Sequence, residues 1–181
     1  MRLELLECGS GVRVPPGNRI VYDVERNEAS FSEAAVDGHA LVWELTSVGR
    51  GEGVKLWAEL ELDRGEEYLM RCDRVDFPPG GVAYLHTHQG PGIRRLLHGS
   101  IRIETEGRSD EFAPGGAWFE AGPEPVFAAA SEAEETAFVR VLILPRRLLG
   151  QSSIHYVQEE DVNRPKPQRY TVFVDEPIEL T

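Results

Sequence analysis

The sequence contains few cysteines and no long apolar segment. Cys8 and Cys72 are the two cysteines in 181 residues, and no CxxC spacing occurs, which argues against a disulfide framework or a zinc knuckle. No apolar run approaches the roughly 20 residues that cross a bilayer. The first residues, MRLELLECGSG, lack the apolar core of a secretory signal. These absences predict a cytoplasmic protein with no membrane partner.

Basic residues are also scarce. Lysine and arginine total 19 against 31 aspartates and glutamates, which gives a formal charge of −12. A field of this sign repels phosphate backbones, so nucleic acid is not an expected partner. No GxSxG elbow, P-loop or GxGxxG fingerprint is present. The length and the 41% hydrophobic content are typical of one globular domain, expected to span residues 1–181.

Helical periodicity is rare along the chain. Two stretches could be helical, NEASFSEAAVDG (27–38) and AAASEAEETA (128–137), and the second is interpreted as a hairpin loop. Elsewhere alternating segments such as VKLWAELEL (54–62) are separated by turns about every ten residues, including PPGG, QGPG and APGG. This pattern predicts an all-β sandwich or barrel.

Two features outside the central strands carry further expectations. Trp43 and Trp57 lie on N-terminal strands, and at least one is expected to be buried at a sheet or subunit interface. RYTVFVDEPIEL (169–180) reads as a strand that pairs with an exposed edge, either of its own chain or of a neighbour. An extra alternating strand of this kind predicts a homodimer.

Two histidines stand one residue apart in VAYLHTHQGPGIRRLLHG (82–99). At a period of two, Tyr84, His86 and His88 share one strand face, and the imidazoles start about 7 Å apart at the backbone. Two such imidazoles can converge on one ion. A catalytic site usually needs a third ligand and an open position as well. Glu120 and Glu124 are the candidate third ligands.

These segments resemble the two motifs of cupins, which are small β-barrels. The segments are PPGGVAYLHTHQGPGIRRLLHGSI and FAPGGAWFEAGPEPVFAAA. The residues that fit the motif frames are Gly80, His86, His88, Gly99, Pro114 and Gly116. The resemblance covers about 73–145, between N-terminal strands (1–72) and a C-terminal extension (146–181). It implies an all-β cupin barrel, a jelly roll or double-stranded β-helix, with the N-terminal strands extending one sheet.

The match to the cupin motifs is incomplete. The glutamate of the first motif falls on Gly92, and the histidine of the second falls on Val126. Of the four metal ligands in the family, only His86 and His88 carry over; the ion would be iron, manganese, nickel or zinc. The small or apolar replacements predict an enlarged interior cavity. If the frame is right, Gly92→Glu with Val126→His should raise metal affinity.

Arg94 and Arg95 cannot both face the barrel interior. The motif frame places Arg94 inward, and a frame slip of one residue would exchange the two. A buried arginine needs a carboxylate partner, either a bound ligand or Glu120 within the chain.

Two functions therefore stay open, both with a small molecule as the partner. The first is a metal-dependent enzyme acting on a small carboxylate-bearing metabolite, with Tyr84 or Glu120 carrying protons. The second is a metal-free barrel that binds a small anionic ligand through Arg94 and has no chemistry of its own. The expected ligand cavity is lined by Tyr84, His86, His88, Arg94, Trp118 or Phe119, Glu120 and Val126.

Overall fold

Nearly all regular structure in the chain is β-strand. The computed structural model describes residues 1–180. The strands are β1 (Arg2–Cys8), β2 (Val12–Val14), β3 (Arg19–Asp23), β4 (Glu28–Phe31), β5 (Ala34–Val36), β6 (Ala40–Thr46), β7 (Val54–Glu59), β8 (Tyr68–Phe77), β9 (Val82–His88), β10 (Gly92–His98), β11 (Ile101–Thr105), β12 (Arg108–Phe112), β13 (Ala117–Glu120), β14 (Val126–Ala130), β15 (Thr136–Pro145), β16 (Ile154–Tyr156) and β17 (Arg169–Ile178). A 3-10 turn covers Arg146–Leu148, and the short helix α1 covers Glu159–Val162.

The two stretches considered for helix are both β-structure. Residues 27–38 contain β4 and β5, so a helical reading there is wrong. Their exposure alternates along each strand, as expected for sheet edges and hairpins. Residues 128–137 form the end of β14, a turn and the start of β15, which confirms the hairpin interpretation.

Two five-stranded antiparallel sheets build the barrel. One has the order β13-β10-β15-β8-β17 and the other β12-β11-β14-β9-β16. From β8 to β15 the chain crosses between the two sheets at each step except the β11–β12 hairpin, in the order that produces a jelly roll. Inward-facing side chains such as Val75, Ile103 and Phe138 form an apolar core between the sheets. The predicted barrel fold is confirmed.

Five of the N-terminal strands form a sheet of their own, with the order β4-β3-β6-β1-β7, and the other two, β2 and β5, pair with each other. The expectation that they extend a barrel sheet is therefore wrong. Their sheet packs on the outer face of β8, β10 and β15, and its Leu5 and Tyr22 share a core with Val139 and Val141. β6 is buried along nearly its whole length. A strand buried on both faces belongs in the middle of a layered stack and not at a barrel edge.

Trp43 joins the N-terminal sheet to the barrel. Its side chain is fully buried, and its indole Nε1 donates to the carbonyl oxygen of Ile93 on β10 at 3.2 Å. Trp57 is half exposed, with the guanidinium of Arg2 3.9 Å above its ring. The expectation that at least one tryptophan lies at a sheet interface is confirmed.

Replacing Trp43 by Phe should lower the free energy of unfolding by about 1–2 kcal/mol, because the carbonyl of Ile93 loses its buried donor. The matched change Trp57→Phe, on the exposed edge, should alter it by less than about 0.5 kcal/mol. Urea unfolding curves of the two variants measure the difference. Equal midpoints would contradict the assigned role of Trp43.

The last strand, β17, pairs with β8 of its own chain from Arg169 to Ile178. The strand interpretation of this segment is confirmed, and its pairing is intramolecular. The homodimer stays a prediction. Within residues 1–180, no helix has the length and apolar character needed to cross a membrane.

Candidate functional site

A bulge in β9 decides which side chains face the barrel interior. Against β14, Val126 pairs with His86 and Ala128 with Ala83, so two residues of β9 stand opposite one of β14. Ala83 therefore lines the interior with His86, and Tyr84 does not. The expected common face of Tyr84 and the histidines is wrong. No residue type in this segment marks the bulge.

The Tyr84 side chain lies against the C-terminal segment. The guanidinium of Arg164 lies 5.4 Å from the centroid of its ring, and Nζ of Lys166 lies 5.8 Å from it. A role as proton carrier for the interior has no geometric support from this position.

The other predicted site residues of the barrel do come together. They are His86, His88, Arg94, Trp118, Glu120 and Val126, and we call them the interior cluster. At its centre, Oε2 of Glu120 lies 2.7 Å from Nη2 of Arg94 and 3.1 Å from Nε2 of His88. Trp118 donates from Nε1 to Oε1 of Glu120 at 2.8 Å. Of the two partners considered for Arg94, the structure contains the internal one.

The charge of Glu120 is stabilised by these contacts. Burial alone raises the pKa of its carboxyl group. The Arg94 guanidinium and the hydrogen bonds from His88 and Trp118 outweigh that cost and hold the pKa well below its usual range. Arg95 faces away from the cluster and forms an ion pair with Glu7 of the N-terminal sheet. The inward placement of Arg94 predicted by the motif frame is thus correct.

Both histidines are neutral. Burial lowers the pKa of His86, and it lowers the pKa of His88 to about 3. Nδ1 of His86 donates to the carbonyl oxygen of Tyr84 at 2.7 Å, so its Nε2 is an acceptor, 3.2 Å from Nε2 of His88. We assign the proton of His88 to Nε2, between His86 and Glu120, on the basis of this network. Nδ1 of His88 is buried without a partner among residues 1–180.

A second buried ion pair borders the interior cluster. Arg140 donates from Nε and Nη2 to the two carboxylate oxygens of Asp73, at 2.7 and 3.2 Å. Arg140 stands directly opposite Arg94 in the pairing of β10 with β15. Sequence reasoning missed this pair. A usable signal was present in one of the two strands, since Arg140 is the single charged residue in the otherwise apolar AFVRVLILP.

The interior is filled and not enlarged. The space left among its lining side chains is about 20 Å³, room for a single water molecule. The volume in which the sequence analysis predicted a ligand is occupied by the side chains of Arg94, Arg140 and Trp118. A Cβ at Gly92 would collide with the carbonyl oxygen of Val141, so the Gly92→Glu variant does not fit the fold. The predicted interior ligand cavity is therefore wrong.

A larger cavity opens beside the interior cluster, and we call it the mouth cavity. Its volume is about 380 Å³. Arg140 and Tyr170 belong to the walls of both spaces. The lining residues are Arg71, Asp73, Arg140, Gly150, Gln151, Ser152, Ser153, Ile154, Tyr170, Val172 and Asp175. The size lies within the range of small-molecule sites.

Comparison with known proteins gives matches to solved structures alone. No protein-family profile and no curated protein matches the chain. The polyketide cyclase RemF from Streptomyces resistomycificus is 20% identical, over 51% of this chain and 62% of that one, with a TM-score of 0.41. An oxalate oxidase in complex with the substrate analogue glycolate is 20% identical over 53% and 52%, with a TM-score of 0.43. A cupin-like protein from Thermotoga maritima is 18% identical over 54% and 73%, with a TM-score of 0.42.

The match spans about half to three fifths of the cyclase and the oxidase. All three TM-scores are below 0.5, so the fold assignment rests on the strand order described above. That order is a jelly-roll barrel of two antiparallel sheets, the fold that the resemblance to cupins implied.

The histidine pair of this barrel has no free third ligand beside it in the described part of the chain. Among residues 1–180, no group of three or more His, Cys, Asp or Glu side chains is placed to hold an ion. Glu120, the nearest carboxylate, is already paired with the guanidinium of Arg94. Glu124, the other proposed ligand, lines a surface groove with Glu104 instead. Two imidazoles without a free carboxylate, beside a fixed positive charge, are a poor donor set for a divalent cation.

Proposed function

We propose that this cupin barrel binds a small carboxylate-bearing molecule in the mouth cavity, without a metal. The observation that carries the proposal is the position of Arg140, a buried arginine in the wall of a cavity of about 380 Å³. A buried guanidinium is costly unless it is paired, and a planar fork of donors suits a carboxylate. The ligand contact thus moves from Arg94, as the sequence predicted, to Arg140.

Three donors in the cavity wall support an anionic ligand. Asp73 uses Nε and Nη2 of Arg140, which leaves Nη1 for a ligand. Burial raises the pKa of Tyr170, so its hydroxyl stays protonated and can donate. The hydroxyl of Ser153 is the third donor in the same wall. Apolar surface from Ile154 would contact the rest of the molecule.

Arg71 stabilises the cavity wall and is not the residue that we expect to bind the ligand. Its Nε and Nη2 bind the carboxylate of Asp175, both at 2.9 Å. The same guanidinium donates to the carbonyl oxygens of Leu148 and Gln151, each at 2.7 Å. These contacts hold β17 against the segment that follows β15. Because each aspartate of the cavity has its own arginine, neither repels an incoming anion strongly.

The other predicted function, a metal-dependent enzyme, has less support from the geometry. Its proposed proton carriers were Tyr84 and Glu120. Tyr84 lies outside the cavity, and Glu120 is held ionised in a buried ion pair. Whether bound molecules react is a separate question, which the binding experiment below does not need to answer.

The first test compares small monocarboxylates and dicarboxylates with their neutral amides. This comparison distinguishes recognition of the carboxylate from apolar contact. We expect carboxylates to raise the melting temperature at millimolar concentration and the matched amides to leave it unchanged. Arg140→Lys keeps a charge for Asp73 but loses the planar fork, and it should weaken binding about tenfold. Isothermal titration measures the affinities.

Tyr156→Phe is the matched control for the test variant Tyr170→Phe. Both remove one phenol oxygen from neighbouring elements, but only Tyr170 lines the mouth cavity. Tyr170→Phe should weaken carboxylate binding severalfold, and Tyr156→Phe should not. Equal binding of amides and carboxylates, or no carboxylate that stabilises the protein, would overturn the proposal.

A further inference from the structure

We infer that the ligand of the mouth cavity is a monocarboxylate with an apolar body, such as a short-chain fatty acid, and not a dicarboxylate. This ligand class is narrower than the proposed function, on which it rests. It follows from the charges of the cavity lining, from the donors that are left free, and from the apolar rim.

The charged side chains that line the cavity already balance each other. The lining contains two arginines and two aspartates. Asp73 accepts two hydrogen bonds from Arg140, and Asp175 accepts two from Arg71. One bound carboxylate adds a single negative charge, for which Nη1 of Arg140 is free. A second carboxylate would add another negative charge beside two aspartates, in surroundings where like charges repel more strongly than in water.

Few donors are left for a ligand. Arg71 donates four hydrogen bonds within its own wall, to a carboxylate and to two carbonyl oxygens. The guanidinium carbon of Arg140 lies 5.6 Å from the ring centroid of Tyr170. The Tyr170 hydroxyl accepts from Nε2 of Gln168 at 3.1 Å, which leaves its own proton free to donate. With the hydroxyl of Ser153 these groups can serve one carboxylate, and the described lining has no second arginine free for another.

The register of the sheet leads from Arg140 to an apolar rim. Arg140 on β15 lies opposite Asp73 on β8, and Asp73 lies opposite Val172 on β17. Directly paired residues project from the same face of a sheet, and neighbouring strands are about 4.8 Å apart, so the backbone of Val172 lies about 10 Å from that of Arg140.

Val172 gives the far end of a ligand an apolar contact. Its side chain lines the cavity and is nevertheless 55% exposed. A ligand whose carboxylate binds Arg140 can cover this side chain with its other end. An apolar end gains free energy from that contact, whereas a charged end would lose hydration there without a partner.

The test compares hexanoate with the shorter butanoate and with adipate, which has a second carboxylate in place of the terminal methyl group. Each methylene that contacts the apolar wall should raise the affinity about threefold, so hexanoate should bind roughly tenfold more tightly than butanoate. Adipate should bind at least about tenfold more weakly than hexanoate. Isothermal titration at constant ionic strength measures the three affinities.

Val172→Lys should change this preference, because an ammonium group at the rim gives the second carboxylate a partner. We expect the affinity for adipate to rise about fivefold and the affinity for hexanoate to fall. Val162→Lys is the matched control. It adds the same charge at a valine that is also 55% exposed but does not line the cavity, and it should keep the preference of the unmodified protein.

The outcomes distinguish this ligand class from the proposed function. If carboxylates bind but adipate equals hexanoate, or if chain length has no effect, the ligand class is wrong and the carboxylate site stands. If no carboxylate binds, both are wrong. An unchanged preference in Val172→Lys, or the same change in Val162→Lys, would also overturn the ligand class.

Discussion

Glu120→Gln is expected to lower the free energy of unfolding by about 3–5 kcal/mol, although the side chain keeps its shape. The substitution removes one member of a buried ion pair and leaves the guanidinium of Arg94 without a counter-charge. The amide oxygen also accepts a weaker hydrogen bond from Trp118 than the charged carboxylate does. Chemical unfolding at neutral pH measures the loss.

Two comparisons isolate the ion pair. Glu134→Gln changes an exposed glutamate in the turn between β14 and β15, and it should shift stability by less than about 0.5 kcal/mol. The double variant Glu120→Gln with Arg94→Met removes both charges and should recover much of the loss. A Glu120→Gln protein as stable as Glu134→Gln would show that the pair contributes nothing.

Mild acid should destabilise the protein by about 2–3 kcal/mol between pH 6.5 and pH 4.5. The pKa of His88 falls from 6.5 to about 3 on folding, so in this window the unfolded chain binds a proton that the folded chain excludes. Stability therefore falls as the pH is lowered. Burial lowers the pKa of His88 most, Arg94 and Arg140 also lower it, and Glu120 raises it. The pKa of His86 is lowered as well, mainly by burial.

Below about pH 4.5 the carboxylates add to this loss. The pKa of Glu7 is lowered to about 2 by hydrogen bonds and charge from Lys55 and Arg95, which outweigh burial. Glu7 therefore stabilises the fold above pH 4.5, and that contribution is lost as the pH falls toward 2.

Urea midpoints from pH 7 to pH 4.5 test the histidine part alone. His88→Gln should flatten the decline, and the exposed His155→Gln should leave it unchanged. A wild-type midpoint that does not move across this range would contradict the assignment of His88 as a buried neutral group.

The features that could be predicted from the sequence are those that depend on the residue pattern within a single strand. The HxH segment, the glycine turns and the inward choice of Arg94 over Arg95 all followed from period-two alternation and motif frames. The cost of burying a charge predicted a carboxylate partner for Arg94, either a bound ligand or Glu120, and the structure contains the pair with Glu120. These features depend on local order or on a single strong energetic rule.

Features that depend on distant parts of the chain were missed. The bulge beside Tyr84 arises from the pairing of β9 with β14, and no turn residue marks it. The filled interior depends on Arg140, whose partner Asp73 is 67 residues away in the chain. The N-terminal layer could have been inferred, because HALVWEL has no polar face. The structure buries this strand along nearly its whole length.

The pairing of β17 with β8 has a consequence during synthesis on the ribosome. Arg71 and Asp175, which join these strands, are 104 residues apart in the chain. Until β17 emerges, β8 exposes an unpaired edge, and the mouth cavity lacks the wall that Tyr170 and Val172 provide. Open edges recruit other strands, and contacts so distant in sequence form slowly. The nascent barrel is therefore most prone to aggregation in the interval before its last strand docks, and binding competence is acquired only at that final step.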